Sequence, residues 1–266
     1  MHLFILAFVV VTAFSRPVAS DESVWRTVSE PAYGLWSAGI TVKASVFKDV
    51  DPAVSPALLV FGGYGDVFVE ANRFGYGVYR DGTYFASIIG NFRSHTRLTE
   101  DQINESKDLS RYDLDERKAA IEVGIQAGRR LDSGWVVRAA LLQDISGAHK
   151  SQETEVLFYR RDDIAGLRVL TTIGAQHQAK KFNDYYFGVD TDEIKNSTHQ
   201  KVYKPGAGFS AELEVIATYN FDWGAGEEWG AYAGLRHYQY DSEAEDSPLV
   251  DDGLVQQYFI GLGKYF

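Results

Sequence analysis

The chain has 266 residues, no cysteine, 25 glycines, 14% aromatics and a formal charge of -11. Without cysteine there are no disulfides, thiolate metal sites or lipid-modified cysteine anchor, and the acidic balance speaks against nucleic acid as a partner. Beyond the N-terminus no apolar run is long enough for a membrane-spanning helix.

Residues 1–20 read as a secretory signal peptide. Leu3 to Phe14 is a purely apolar run, and the small residues Val18, Ala19 and Ser20 precede Asp21 and Glu22. Its n-region departs from the usual pattern in carrying no Lys or Arg. Residues 21–266 are expected to form one domain.

After the leader, a period of two dominates. Trp36, Ala38, Ile40, Val42 and Ala44 oppose Ser37, Thr41, Lys43 and Ser45. Weaker strand candidates follow at 56–64, 66–72, 74–80 and 84–93. Ile121, Val123, Ile125 and Ala127 oppose Glu122, Gly124, Gln126, Gly128 and Arg130. Trp135, Val137, Ala139 and Leu141 oppose Arg138, a weaker candidate covers 154–161, and Leu167, Val169 and Ile173 oppose Arg168 and Thr172. In 208–221 the odd positions are all apolar while Glu212 and Glu214 lie opposite. Trp229, Ala231, Ala233 and Leu235 oppose Tyr232, Arg236 and Tyr238, and a last strand covers 255–266. Side chains alternate across a strand, so each of these segments separates two unlike environments.

The connections alternate as well. Tight turns are expected at Tyr64 and Gly65, at Arg80 to Gly82, at Asp132 to Gly134 and at Asp162 and Asp163, with a longer one at 222–228. Long loops are expected at 47–55, 94–117, 144–153, 177–207 and 241–254. This is the pattern of an all-β, antiparallel up-and-down transmembrane barrel of about 12 strands (10 possible), with short periplasmic turns and long external loops. The link between 72 and 74 is an exception, short where a long loop is due.

Alternation alone also fits a soluble barrel with its apolar face inside. The leader, the Ala-rich apolar faces, the Gly, Glu and Arg on the polar faces, and the ending favour the membrane reading. Tyr258, Ile260, Leu262 and Phe266 form an outward set resembling the signal read by outer-membrane insertion machinery. Lys264 breaks that set at a depth where it can snorkel. The inward set is then Lys43, Glu122, Arg130, Arg138, Arg168, Glu212, Glu214 and Arg236. Mixed charges in a narrow barrel pair and plug it; a small pore is the alternative.

Five segments carry a family resemblance. They are Leu141-Leu142-Gln143-Asp144-Ile145-Ser146-Gly147-Ala148-His149, Asp184-Tyr185-Tyr186-Phe187-Gly188-Val189, Tyr203-Lys204-Pro205-Gly206-Ala207-Gly208, Asp246-Ser247-Pro248-Leu249-Val250 and Gly261-Leu262-Gly263-Lys264-Tyr265-Phe266. In order and spacing they resemble the MipA/OmpV family of Gram-negative outer-membrane proteins. The resemblance implies an exported barrel in contact with outer-membrane lipid and lipopolysaccharide. It also implies a scaffold joining a periplasmic lytic transglycosylase to a murein synthase, so that cell-wall cutting and building stay together. Other members are associated with adhesion or osmoregulation. The motif residues Asp144, His149, Tyr186, Phe187, Gly188, Pro205, Gly206, Asp246, Ser247 and Pro248 bring no chemical role with them.

For chemistry, His149 lies near Ser146, Asp144 and Ser151, a conceivable Ser/His/acid set, although no nucleophile elbow accompanies it. The plainer reading is a polar loop whose histidine shapes a turn. His177, His199 and His237 are too scattered for a metal site. Asp241, Glu243, Glu245, Asp246, Asp251 and Asp252 could hold Ca²⁺, but a solvated acidic loop explains them as well. No enzyme, cofactor or metal is expected. A scaffold is the leading expectation, with a narrow channel for small polar solutes or an adhesin acting through its external loops as alternatives.

Overall fold

The computed structural model describes residues 33–195, 199–222 and 228–265. The proposed leader, Phe266, and 223–227 of the expected turn at 222–228 lie outside them. Among the described residues, twelve strands close into one antiparallel barrel in which each strand pairs with its sequence neighbours and the first with the last.

The strands are β1 (Tyr33–Lys43), β2 (Ala53–Tyr64), β3 (Val67–Glu70), β4 (Arg73–Arg80), β5 (Tyr84–Arg93), β6 (Ala120–Arg130), β7 (Val136–Asp144), β8 (Gln152–Ile164), β9 (Leu167–Gln178), β10 (Gly208–Asp222), β11 (Glu228–Tyr240) and β12 (Leu254–Tyr265). Every predicted strand has its counterpart. The register between β1 and β12 sets Leu35 against Tyr265, so the barrel closes where its described ends meet, at the end that carries the tight turns.

The burial pattern is inverted relative to a soluble protein. Val54, Leu58 and Ile260 are 69%, 68% and 63% exposed, while Glu122 is 0% exposed. Apolar residues cover the outside because the solvent there is lipid, and charged residues fill the inside. Trp36 and Trp229 meet edge-on near the turn end at 6.0 Å. The Lys264 ammonium lies 6.0 Å over the Trp229 ring, so the lysine on the lipid face sits among interfacial aromatics. Tyr258, Ile260 and Leu262 are exposed on the same face.

Strand contacts leave little room on the inner wall. A Cβ on Gly124 would lie 1.9 Å from the Leu141 carbonyl oxygen, so only glycine lets β6 and β7 approach this closely. The turn expected at Asp162 and Asp163 is corrected: β8 continues through both, opposite Val169 and Arg168. The chain reverses instead at Ala165 and Gly166, which take positive φ values of 51° and 81°. Two positive-φ residues are what a tight hairpin needs, and glycine supplies one without strain.

The long loops fold back over the barrel. They contain α1 (Glu100–Glu105), α2 (Lys180–Phe187), α3 (Ser242–Glu245) and a single 3-10 turn at Leu109–Arg111. Val46, Phe47, Leu98, Ile103, Leu109, Phe182, Tyr186, Phe187, Val189, Leu249 and Val250 form a common apolar core with Tyr238 and Tyr240 of the wall. This end is therefore capped. By the rule of short inner turns and long outer loops, it is the external end.

Candidate functional site: the filled lumen, its cap and the rim

Inside the barrel the charges pair. Arg73 binds Glu155 through two parallel bonds of 2.9 and 3.0 Å. Arg93 meets Glu122 at 2.9 Å and Glu153 at 2.8 Å, and Asn91 donates to Glu122 at 2.7 Å. Arg138 holds Glu70 at 2.8 Å and lies 4.0 Å from Glu155. Gln176 joins the two halves, donating to Glu155 at 3.2 Å and accepting from Tyr238 at 2.5 Å. Toward β10, Arg236 meets Glu212 at 3.1 Å and also pairs with Glu214. Removing a single member of such a network would strand a buried charge.

The inward residues expected from sequence fall in different places. Glu122, Arg138, Glu212, Glu214 and Arg236 belong to these pairs. Lys43 donates to the Ser94 carbonyl at 3.2 Å, at the loop end. Arg168 lies 4.0 Å from Asp163, near the turn end. Arg130 has the inward parity and stands exposed at the turn-end mouth, because β6 stops there. Sequence reading missed Glu70, Arg73, Arg93, Glu153 and Glu155. The alternation of Glu153, Glu155, Leu157 and Tyr159 against Thr154, Val156 and Phe158 was present in β8. Arg73 and Glu70 were hidden by the irregular short link.

The motif residues converge on the cap. Asp144 accepts from the Ser146 amide at 2.8 Å, its hydroxyl at 2.6 Å and the Lys150 amide at 2.8 Å, closing a tight loop. In α2, Phe182, Tyr186 and Phe187 are fully buried. The Tyr186 hydroxyl donates to the Lys118 carbonyl at 3.0 Å, and burial pushes its pKa up. Ser247 donates to the Phe187 carbonyl at 2.6 Å, and Arg117 donates to the Gly188 carbonyl at 3.1 Å. Pro205 is buried, the Gly206 carbonyl accepts from Asn183 at 3.0 Å, and the Gly206 amide donates to Glu243. Asp246 is exposed at the end of α3, and Pro248 is half-buried. The motifs thus bring together four loops far apart in sequence.

The Ser146, His149 and Asp144 set is not assembled. Ser146 is held by Asp144, whereas Nδ1 of His149 contacts the Ser151 hydroxyl at 2.7 Å and Nε2 faces Glu122 at 3.3 Å. The histidine is not merely a turn residue either; its side chain is wholly buried. The order Ser151, His149, Glu122 resembles a proton relay, yet Arg93 neutralises the carboxylate and the rings of Phe182 and Tyr186 stand 5.1 and 5.9 Å from the imidazole. Donor atoms of Glu122, His149 and Glu153 lie within 4.8 Å of one another, a gathering the sequence did not disclose. Arg93 already bonds both carboxylates and so supplies the cation there. The neighbouring His95 is held well below its usual pKa of 6.5 by burial and by the charges of Arg93, Lys43 and Arg236. The acidic residues of 241–254 are engaged separately: Asp241 caps α3, Glu245 bonds Gln239 at 2.5 Å, and Asp252 accepts from the Leu254 amide at 3.0 Å.

At the opposite end arginines crowd the turns. Arg80, Arg129, Arg130, Arg160, Arg161 and Arg168 lie toward the turn ends of β4, β6, β8 and β9, among Asp66, Asp81, Asp132, Asp162 and Asp163. Arg129 and Arg130 are exposed, and Arg160 pairs with Asp162 at 2.5 Å.

An inverted, closed, even-stranded barrel with a salt-bridged lumen is an outer-membrane β-barrel. The family model for MltA-interacting protein MipA matches residues 37–266, and the chain belongs to that family. It is 27% identical over 249 residues to the MltA-interacting protein of Escherichia coli (strain K12), covering 94% of this chain and 93% of that one. It is 26% identical over 231 residues to the outer membrane protein Omp26La of Vibrio anguillarum, covering 86% and 84%. OmpV of Vibrio cholerae serotype O1 gives the same identity and coverage. Among solved structures, the COG4313 outer membrane channel from Pseudomonas putida F1 has a TM-score of 0.39 at 10% identity, covering 93% of this chain and all of that one. OmpT of Vibrio cholerae has a TM-score of 0.36 at 8% identity, covering 95% and 100%. The protein is thus placed in the outer membrane.

Proposed function

We propose that this barrel is a non-enzymatic scaffold that holds a periplasmic cell-wall enzyme at the membrane through its turn-end rim. The observation that carries this reading is the filled lumen. Ion pairs of Arg73, Arg93 and Arg138 with Glu70, Glu122, Glu153 and Glu155 occupy the wall on one side, and the loop core covers the external mouth. A barrel closed in this way has little use as a conduit, so its working surfaces are its ends. The arginine-rich rim supports the periplasmic end, because arginine is enriched at protein interfaces. The Escherichia coli relative is named for interacting with MltA, which supports a protein partner for this chain. The family resemblance implies that the partner is a periplasmic lytic transglycosylase, with a murein synthase as the second passenger.

Planar-bilayer recording of the purified barrel tests the carrying observation. The expected trace is silent; steady, long-lived conductance steps would overturn the scaffold reading in favour of a channel. Immobilised barrel incubated with periplasmic extract should also retain murein-cleaving activity.

A further inference from the structure

The irregular link between β3 and β4 leaves part of the wall unbuilt. β2 pairs with β3 only over Phe61 to Tyr64. The stretch from Ala53 to Leu59 pairs with β1 on one side, and among the described residues no strand lies on the other. At a rise of about 3.3 Å per residue this is roughly 20 Å of open edge. Its depth follows from the register. One row of paired residues climbs from Tyr265 at the turn end through Leu35, Phe61, Glu70, Arg73, Asn91 and Glu122 to Asp144 at the loop end. Glu70 and Arg73, at the tip of the short hairpin, stand midway along that row. The gap therefore occupies the outer half of the membrane.

It is framed on all sides. Below is the hairpin tip, whose Ala71 amide donates to the Val60 carbonyl at 2.9 Å and whose Asn72 carbonyl accepts from the Phe92 amide at 2.9 Å. Above, Ser106 donates to the Lys48 carbonyl at 2.9 Å and the Lys107 amide to Asp49 at 2.6 Å. On the inner side Lys43 reaches the Ser94 carbonyl. Ala53 and Ser55 have inward parity yet are exposed, whereas inward Thr172, on a strand paired on both sides, is 8% exposed.

The chemistry of the opening is amphipathic. Since the Val60 carbonyl faces β3, the two-residue repeat turns the backbone groups of Leu58, Pro56 and Val54 the same way. Pro56 carries no N–H, which blunts the edge against addition of another strand. The remaining N–H and C=O groups stand at membrane depth and need polar partners. Outside lie Val54, Leu58, Phe74 and Phe92, all exposed. Below Lys43, the inner wall of β1, β2 and β12 carries no charged side chain: Ser37, Gly39 and Thr41 pair with Leu59, Ala57 and Ser55 on β2, and Gly39 and Thr41 with Gly261 and Phe259 on β12.

We propose that this gap is a lateral window that binds a lipid of the outer leaflet. The lipid's hydrocarbon tail lies in the opening itself, along the unpaired edge at Ala57 and Leu59 and against Phe74 and Phe92. Its oxygen-rich head meets the free amides of Val54 and Leu58 and the Lys43 ammonium.

The absence of native cysteine allows single labels. S55C, A57C, L58C and T172C are labelled with bimane in denaturant, refolded, and placed in phosphatidylcholine vesicles whose acyl chains carry bromine. Lipid-facing L58C is quenched in any reading. Quenching of A57C close to that of L58C, and several-fold above that of T172C, is the expected result. Quenching of A57C as weak as that of T172C overturns the proposal, as does a disulfide-linked dimer through S55C, which would make a second copy the occupant. If A57C fails to refold, S55C reads the same face from an already exposed position.

Discussion

Arg93 is the buried cation that joins the lumen charges to the cap. Its guanidinium bonds Glu122 and Glu153 at once and lies 5.4 Å from the Phe182 ring centroid, so it ties wall to cap. Arginine suits this position because its planar fork can serve two carboxylates, whereas a lysine ammonium offers a point charge. R93M would leave two buried carboxylates without their cation. Breaking a buried pair in this way costs about 3–5 kcal/mol, which should appear as a lower urea midpoint for the refolded barrel in vesicles. The triple variant R93M/E122Q/E153Q should recover most of the loss, since it removes the stranded charges as well. A midpoint for R93M equal to that of the wild type would mean that water, not protein, surrounds the cluster.

At the scale of elements, α2 shows how a loop becomes a plug. Phe182 and Tyr186 are four residues apart and share a face with Asn183 and Phe187, while Lys180 and Lys181 point away from the core. The helix is too short to be stable alone, so its order comes from packing. The cap can therefore open while the strands hold, as locally stabilised units do. F182A should cost about 3–5 kcal/mol of cap stability through the cavity it leaves. Hydrogen exchange should speed up across 180–189 with the β6 and β10 amides unchanged. Faster exchange of the strands as well would show that cap and barrel unfold as one unit.

For the molecule as a whole, the turn end is a rim of mixed charge. Its six arginines stand beside Asp66, Asp81, Asp132, Asp162 and Asp163, so it offers separate positive points rather than one positive field. Charges so placed on a rim match complementary charges of a partner and set its association rate more than its final affinity. The double variant R129E/R130E, exposed and outside the ion-pair network, should refold normally and retain of order tenfold less murein-cleaving activity on the immobilised barrel at low salt. Raising the salt should narrow the difference, because exposed charges are screened. Undiminished retention at low salt would move the docking surface away from this rim.

How much of this was legible in the chain depends on the range of the interaction. The period of two in 208–221 and 121–130 is a local property, and each strand forms between lipid and lumen wherever its neighbours lie. Strand number, the alternation of long and short connections, and the inside-out orientation could therefore be read directly, as could the inward parity of Glu122, Arg138 and Arg236. The turn at Ala165 and Gly166 was displaced because Asp162 and Asp163 look like turn residues, and only their pairing with Val169 and Arg168 keeps them in the sheet. Ion-pair partners could not be read, since Arg73 and Glu155 are 82 residues apart and meet only when the barrel closes. The same closure turned five apparently open loops into one cap, because Phe182, Leu98 and Leu249 find apolar company only in each other. A short link between 72 and 74 was visible in the sequence as an irregularity, and the structure places it at Ala71 and Asn72; that it leaves a gap in the wall was decided by the register of β2 against β3, which exists only in the folded barrel.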